Sequence, residues 1–246
     1  ALRLAKEKKA TTIAIANVLG STISRDSDYV LYTCAGPEIA VASTKAYTTQ
    51  LVLLILLAYY IAQQLGKDIN KQIIQQLMSI PQHVDTILKD ENLFAQYAKM
   101  LENQHDAYFI GRNLDYASVL EGALKLKEVS YVHADAYVAG ELKHGPIALI
   151  ENDSVVIAVA TQSHIAQKTI SNIQETMARG ARVILLTTQN MEVKNVQNVY
   201  ELPDIDPTLQ SILVAVPLQL IAYYTACIKG CDVDKPRNLA KSVTVE

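Results

Sequence analysis

The chain has 246 residues but only three cysteines, no long apolar run and no excess of either charge. Three thiols do not build a disulfide framework, so the fold must rest on a hydrophobic core. The longest apolar run, Leu51 to Ala62, falls short of the roughly 20 residues a bilayer span needs and lacks basic flanks. A net charge of -3 and a pI near 6.0 favour neither nucleic acid nor an anionic membrane as partner. Metal-ligand spacing is missing too. Cys227 and Cys231 stand at i, i+4 but have no matching His or Cys pair, and His83, His105, His133 and His164 are scattered. The two cysteines therefore read as ordinary buried residues, and no metal is expected. No secretory signal is visible at Ala1, which reads as a cytoplasmic protein.

What is present is half hydrophobic residues and 19% charged residues, an ordinary balance for a globular enzyme. The order of elements carries more information. Ala10–Ala16 and Ala181–Thr187 both read as short buried strands, each after a helical segment and before an edge-like strand, Asp28–Tyr32 or Asn198–Leu202. A long apolar helix follows in both places, containing Leu-Ala-Tyr-Tyr60 in one and Ile-Ala-Tyr-Tyr224 in the other. Such matching predicts a duplicated α/β unit. Further strands at Ala107–Ile110 and Ser154–Ala160, with a helix over Ile165–Arg179, complete the second copy as a doubly wound parallel sheet. The first copy is expected to be incomplete, opening inside its second helix. The expected organisation is an incomplete first subdomain over 1–66, a helical connection over 67–104 punctuated by Pro81, a second subdomain over 105–234, and a tail over 235–246.

One helical stretch carries charge where its neighbours are apolar. Glu121, Lys125 and Glu128 lie at i, i+4 and i+7 between Val119 and Tyr131, so a helix stacks them on one face. Leu120, Leu124 and Val132 beside them set the charges near a core. Glu121 and Lys125 also form the favoured helix ion pair, which needs no chemical role. Two carboxylates around an ammonium can equally move protons, because each tunes the next. The following residues, His133 to Pro146, read as a loop that adds ionisable groups. The turn Ala160–His164 could hold an anion, but a plain helix N-cap is the preferred reading.

Three segments, Glu38–Tyr47, Leu120–Pro146 and Pro236–Glu246, resemble the sugar-isomerase (SIS) half of the glucosamine-6-phosphate synthase family. The resemblance covers essentially the whole chain in order. It implies two SIS subdomains, the first one N-terminally truncated and without its phosphate-holding loop, and a glutaminase domain in the parent protein that is absent here. It also implies an activity, conversion of fructose 6-phosphate and glutamine-derived ammonia to glucosamine 6-phosphate, with no cofactor, in a homodimer. By the same resemblance Lys241 forms an imine with the open-chain sugar and Glu128 shuttles a proton between C1 and C2. Lys125 handles the proton on the C1 oxygen, and Glu121 orients Lys125. His144 opens the sugar ring from the neighbouring subunit, and Val41, Ser43 and Ala240 line the sugar pocket. Thr44 and Lys45 read instead as an N-cap and a solvated lysine. The tail after Asp234 is expected to lie extended against the carboxyl edge of the sheet. The alternatives are another SIS sugar-phosphate isomerase or deglycase, or a sugar-phosphate-sensing module without catalysis.

Overall fold

The computed structural model describes residues 1–188 and 194–241, and the chain divides into two compact units, Ala1–Ile69 and Asn70–Glu246. The first unit runs α1 (Leu2–Glu7), β1 (Ile13–Ala16), α2 (Thr22–Asp26), β2 (Tyr29–Tyr32) and α3 (Lys45–Gln64). Its two strands pair in parallel, with Ile13 opposite Tyr29. Asp28 fastens the start of this pair: its carboxylate accepts the Thr12 amide at 2.8 Å and the Thr12 hydroxyl at 2.7 Å.

The second unit begins with α4 (Gln72–Lys89) and α5 (Glu91–Lys99), then β3 (Asp106–Gly111), α6 (Leu114–Ser130) and β4 (His133–Val138). Two 3-10 turns, Ala139–His144 and Pro146–Leu149, lead to β5 (Val155–Ala160), α7 (Ser163–Met177), β6 (Arg182–Thr188), β7 (Asn198–Leu202) and α8 (Pro207–Ile228). The strands form one parallel sheet of order β4-β3-β5-β6-β7. Central β5, Val-Val-Ile-Ala-Val-Ala, is buried along its whole length. This is the continuous β-branched run expected of a strand covered on both faces.

The alternation along β3 divides the core. Tyr108 and Ile110 pack with Ala139 and Leu142 of the first 3-10 turn and with Ala166 and Ile173 of α7. Phe109 points the other way, to α6 and α8. Gly122 lets those two helices meet closely, since a Cβ there would stand 2.9 Å from Leu218 Cδ1 and 3.1 Å from Phe109 Cε1. Hence α6 lies on one face of the sheet, and the 3-10 turn that carries His144 lies on the other.

Several expectations need correction. Residues 133–146 are not a loop, because His133–Val138 is strand β4 and pairs in parallel with β3. Its small inward residues and ionisable outward ones suit a sheet edge, and the charges disguise the alternation. Pro81 does not punctuate anything, since α4 runs through it. The break falls at Asp90, which accepts the Tyr200 hydroxyl at 2.9 Å, and α4 and α5 both pack on α8 within the second unit. Cys227 is exposed and Cys231 half-buried, so neither is a core residue. Cys227 sits in the last turn of α8 and Cys231 lies just beyond its end. The apolar run at 51–62 sits in a helix of 20 residues, so length no longer excludes a membrane span for α3, and α8 with 22 passes the same test. More than half of the apolar window in α8 is buried against its own unit, which makes α8 a core helix, and α3 is its counterpart in the repeat.

Candidate active site

Helix α6 positions the charged stripe. Its inner side is built from Ser118, Val119, Gly122, Ala123, Leu126 and Val129, all buried. Turning these small and branched residues to the sheet and α8 also turns Lys125 inward, to 4% exposure, while Leu120 and Leu124 stay 45% and 43% exposed. The charges are thus deeper than the leucines beside them. Lys125 Nζ lies 2.5 Å from Glu128 Oε2 and 3.6 Å from Glu121 Oε1. Both of these oxygens are buried and make no hydrogen bond besides the ion contacts. Burial pushes the Glu121 carboxyl above its ordinary range; Lys125 opposes the shift and the like-charged Glu128 adds to it. An ammonium between two carboxylates neutralises one of them, leaving the other as a proton acceptor.

The tail reaches this stripe from an unexpected side. Helices antiparallel to the strands end at the sheet's amino edge, so α6 and α8 both deliver their C-termini there. After α8, Asp232 Oδ1 accepts the amides of Asp234 and Lys235, each at 3.0 Å. The chain then turns at Pro236–Leu239, with Asn238 at φ 62°. It is neither extended nor at the carboxyl edge, as expected from the sequence. A cleft of about 250 Å³ separates the turn from the end of α6, lined by Lys127, Glu128, Tyr131, Arg237, Asn238 and Leu239. Ala240 and Lys241 follow at once and are exposed, while residues 242–246 lie outside the described residues.

The remaining candidates are placed separately. His144 ends the first 3-10 turn and is exposed; the sheet stands between it and α6. Val41 and Ser43 are half-buried on the loop after β2 in the first unit, where Ser43 Oγ donates to Glu38 Oε1 at 2.8 Å. Thr44 occupies the N-cap of α3 but its side chain makes no cap bond. Lys45 is not simply solvated: its Nζ donates to the Pro37 carbonyl at 2.7 Å and straps the loop.

Three residues escape a reading of the sequence. Tyr131 and Arg237 meet across the cleft, where the Arg237 guanidinium lies 4.1 Å from the Tyr131 ring centroid. Asp115, 2% exposed in the first turn of α6, accepts the Thr161 amide at 2.9 Å and hydroxyl at 2.5 Å, and the Gln162 amide at 3.4 Å. It is this carboxylate, rather than an N-cap side chain, that meets the start of α7, so the chain itself fills the turn considered for an outside anion. An acidic residue in a first helical turn ordinarily signals only the helix dipole, which hides this role. The positive φ of Tyr131 at a helix end is a site where glycine is usual, and that departure is the signal for Tyr131. Among the described residues no group of His, Cys, Asp or Glu is arranged to hold a metal.

Comparison with known proteins bears on all of this. The SIS domain family model matches residues 1–60 and 100–229. A glutamine–fructose-6-phosphate aminotransferase (isomerizing) from Clostridium tetani is 51% identical over 252 aligned positions, covering 100% of this chain and 41% of that protein. The same enzyme from Thermococcus kodakarensis is 46% identical, again over 100% of this chain and 41% of the relative. The chain thus spans about two fifths of the length of the curated relatives it matches. The solved C-terminal domain of glucosamine-fructose-6-phosphate aminotransferase from Francisella tularensis superposes with a TM-score of 0.89 at 39% identity, over 95% of this chain and 68% of that one.

Proposed function

The chain belongs to the SIS domain family, and on that premise we propose that it carries the sugar-isomerase step of a glutamine–fructose-6-phosphate aminotransferase. The observation that carries this reading is the buried ammonium held by Glu121 and Glu128, with the C-terminal tail folded beside Glu128. In this reading the Lys241 amine adds to C2 of open-chain fructose 6-phosphate and water leaves, giving an imine. Ammonia made from glutamine by another part of the full-length protein displaces the lysine. Glu128 takes a proton from C1 and returns one at C2, which converts the ketose imine into the amino aldose. Lys125 gives and takes the proton on the C1 oxygen, and Glu121 holds Lys125 in place. Ala240, just after the turn of the tail, lines the sugar. The overall sum is fructose 6-phosphate plus ammonia giving glucosamine 6-phosphate and water, and no step calls for an organic cofactor or metal.

His144 fits a site other than that of its own chain, since the sheet stands between its turn and α6. This supports a homodimer in which each protomer lends the histidine that opens the partner's sugar ring. Exposed Leu54, Leu56, Tyr60, Ile61 and Leu65 on and beside α3 offer apolar surface for such an assembly. Three unpaired thiols agree with a reducing cytoplasm. Borohydride reduction of the full-length protein with fructose 6-phosphate tests the reading. One sugar should be trapped per Lys241, and none after Lys241→Arg; trapping that survives the substitution overturns it.

A further inference from the structure

Tyr131 caps α6 with φ 60° in the left-handed region, a conformation that is unfavourable for a residue bearing a Cβ and that glycine adopts freely. Its side chain makes two contacts with one residue of the tail. The hydroxyl accepts the Arg237 backbone N–H at 2.8 Å, and the ring carries the Arg237 guanidinium at 4.1 Å from its centroid. A contact to the backbone fixes where the chain passes, and a contact to the side chain fixes which way it faces. Neither alone would set both. We propose that Tyr131 and Arg237 form a clasp that positions the C-terminal tail, and Lys241 with it, over Glu128.

The geometry around the clasp supports that role. Glu128 precedes Tyr131 by three residues, so both share the end of one helix face, and both line the cleft with Arg237, Asn238 and Leu239. The chain bends at the clasp itself, with the Leu239 amide donating to the Pro236 carbonyl at 3.4 Å. Lys241 is four residues beyond Arg237, so its Cα stays within about 14 Å of the clasp whatever the path of the tail. The Asx turn at Asp232 stiffens the short stretch between α8 and the clasp. A tail stiffened there and held at 237 searches little space, and an imine-forming amine gains rate from that restriction. Tyr131 and Arg237 are positioning residues here, acting through Lys241. The proposal rests on the imine role assigned above.

Two measurements on the full-length protein test it. Amide hydrogen exchange over 236–241, recorded without sugar, reads the clasp independently of any chemistry. Tyr131→Phe keeps the ring and removes the acceptor, and should speed exchange at Arg237 roughly tenfold, as expected for one lost hydrogen bond. Tyr131→Gly removes both contacts while suiting the backbone, so the helix end stays folded and exchange across 236–241 rises further. The second measurement is the rate of borohydride trapping at Lys241. It should fall with both variants, with kcat falling alongside and KM for the sugar changing little, whereas Arg237→Lys should give an intermediate loss because an ammonium stacks less well. Unchanged exchange in Tyr131→Gly, or faster exchange with unchanged trapping, overturns the clasp. A wild-type protein that traps no sugar while its variants show the exchange change would sink the imine reading and leave the docking of the tail established.

Discussion

The two halves of α6 each bury acidic side chains and treat them differently. In the first turn Asp115 is met by two amides and a hydroxyl. In the later turns Glu121 and Glu128 share one ammonium, and an oxygen of each is buried with no further hydrogen bond. Burial raises the pKa of both Asp115 and Glu121, so the shift alone does not separate them. The number of donors does. A carboxylate with all its donors in place holds two segments together, and one short of donors keeps lone pairs for a proton or a substrate. Under the function proposed above, the contrast gives structure to one half of the helix and chemistry to the other.

The sharpest way to break that assignment is Glu128→Gln in the full-length protein. Glutamine keeps the shape but accepts no proton, so proton exchange between solvent and the sugar's C1 and C2 should fall about 10²–10⁴-fold. Stability should barely change, because Lys125 retains Glu121. Exchange that persists in this variant removes Glu128 from the mechanism, and the contrast with it.

Asp115→Ala should do the reverse. It strands three donors, the amides of Thr161 and Gln162 and the Thr161 hydroxyl, each costing about 1–3 kcal/mol when left unpaired and buried. A loss of about 3 kcal/mol or more in urea unfolding is expected, with kcat per folded molecule within roughly twofold. Asp115→Asn retains one acceptor oxygen and should lose less. If Asp115→Ala instead abolishes turnover in a protein of normal stability, the N-terminal half of α6 takes part in the chemistry.

How much of this was legible in the sequence depends on the range of each interaction. The stripe at 121, 125 and 128 was readable because helix periodicity is local, and β5 and β6 because buried strands are unbroken apolar runs. Strand β4 was not, since its burial comes from pairing with β3 and its outward charges read as loop. Asp115 was invisible because its donors lie 46 residues away. The tail was misplaced for a similar reason. Its path depends on Tyr131, 106 residues from Arg237, and on both α6 and α8 ending at the amino edge, which only the assembled sheet reveals. The depth of Lys125 relative to Leu120 and Leu124 likewise follows from the close approach of α8 at Gly122.

Glu121 sharpens the comparison because it shares a raised pKa with Asp115 while sitting in the other half of the helix. A raised folded pKa means the native state holds the proton more tightly than the unfolded chain. Its contribution to stability is complete below the ordinary glutamate value and is lost as pH rises through the higher folded value. Glu121→Gln should therefore flatten the urea stability profile over that window. It should also lower kcat more than KM, through Lys125. A steeper profile, or loss of sugar binding with kcat intact, would assign Glu121 to some other task.

The smallest expected effect concerns a second aspartate at a helix start. Asp206 caps α8, accepting the Thr208 hydroxyl at 2.6 Å and amide at 3.0 Å, with Asn70 Nδ2 donating to its other oxygen at 3.1 Å. Burial pushes its pKa up, yet those three donors outweigh burial and the net shift is downward, whereas at the deeper Asp115 burial wins. The two carboxylates thus do similar work, each meeting backbone amides at or just before the start of a helix, with opposite pH signatures. The stabilisation from Asp206 is present above the ordinary aspartate value and disappears as pH falls through the lower folded value. Asp206→Ala should cost about 1 kcal/mol at neutral pH, and the deficit should shrink in acid. For Asp115→Asn the gap to wild type should narrow as pH rises through the folded value of Asp115, because ionising that buried carboxyl costs the wild type stability that asparagine does not lose. Urea midpoints of the wild type and both variants, followed from acid to neutral pH, decide the matter. Profiles of the same sign would mean that burial at Asp115 does not outweigh its donors, and that depth is not what distinguishes these two caps.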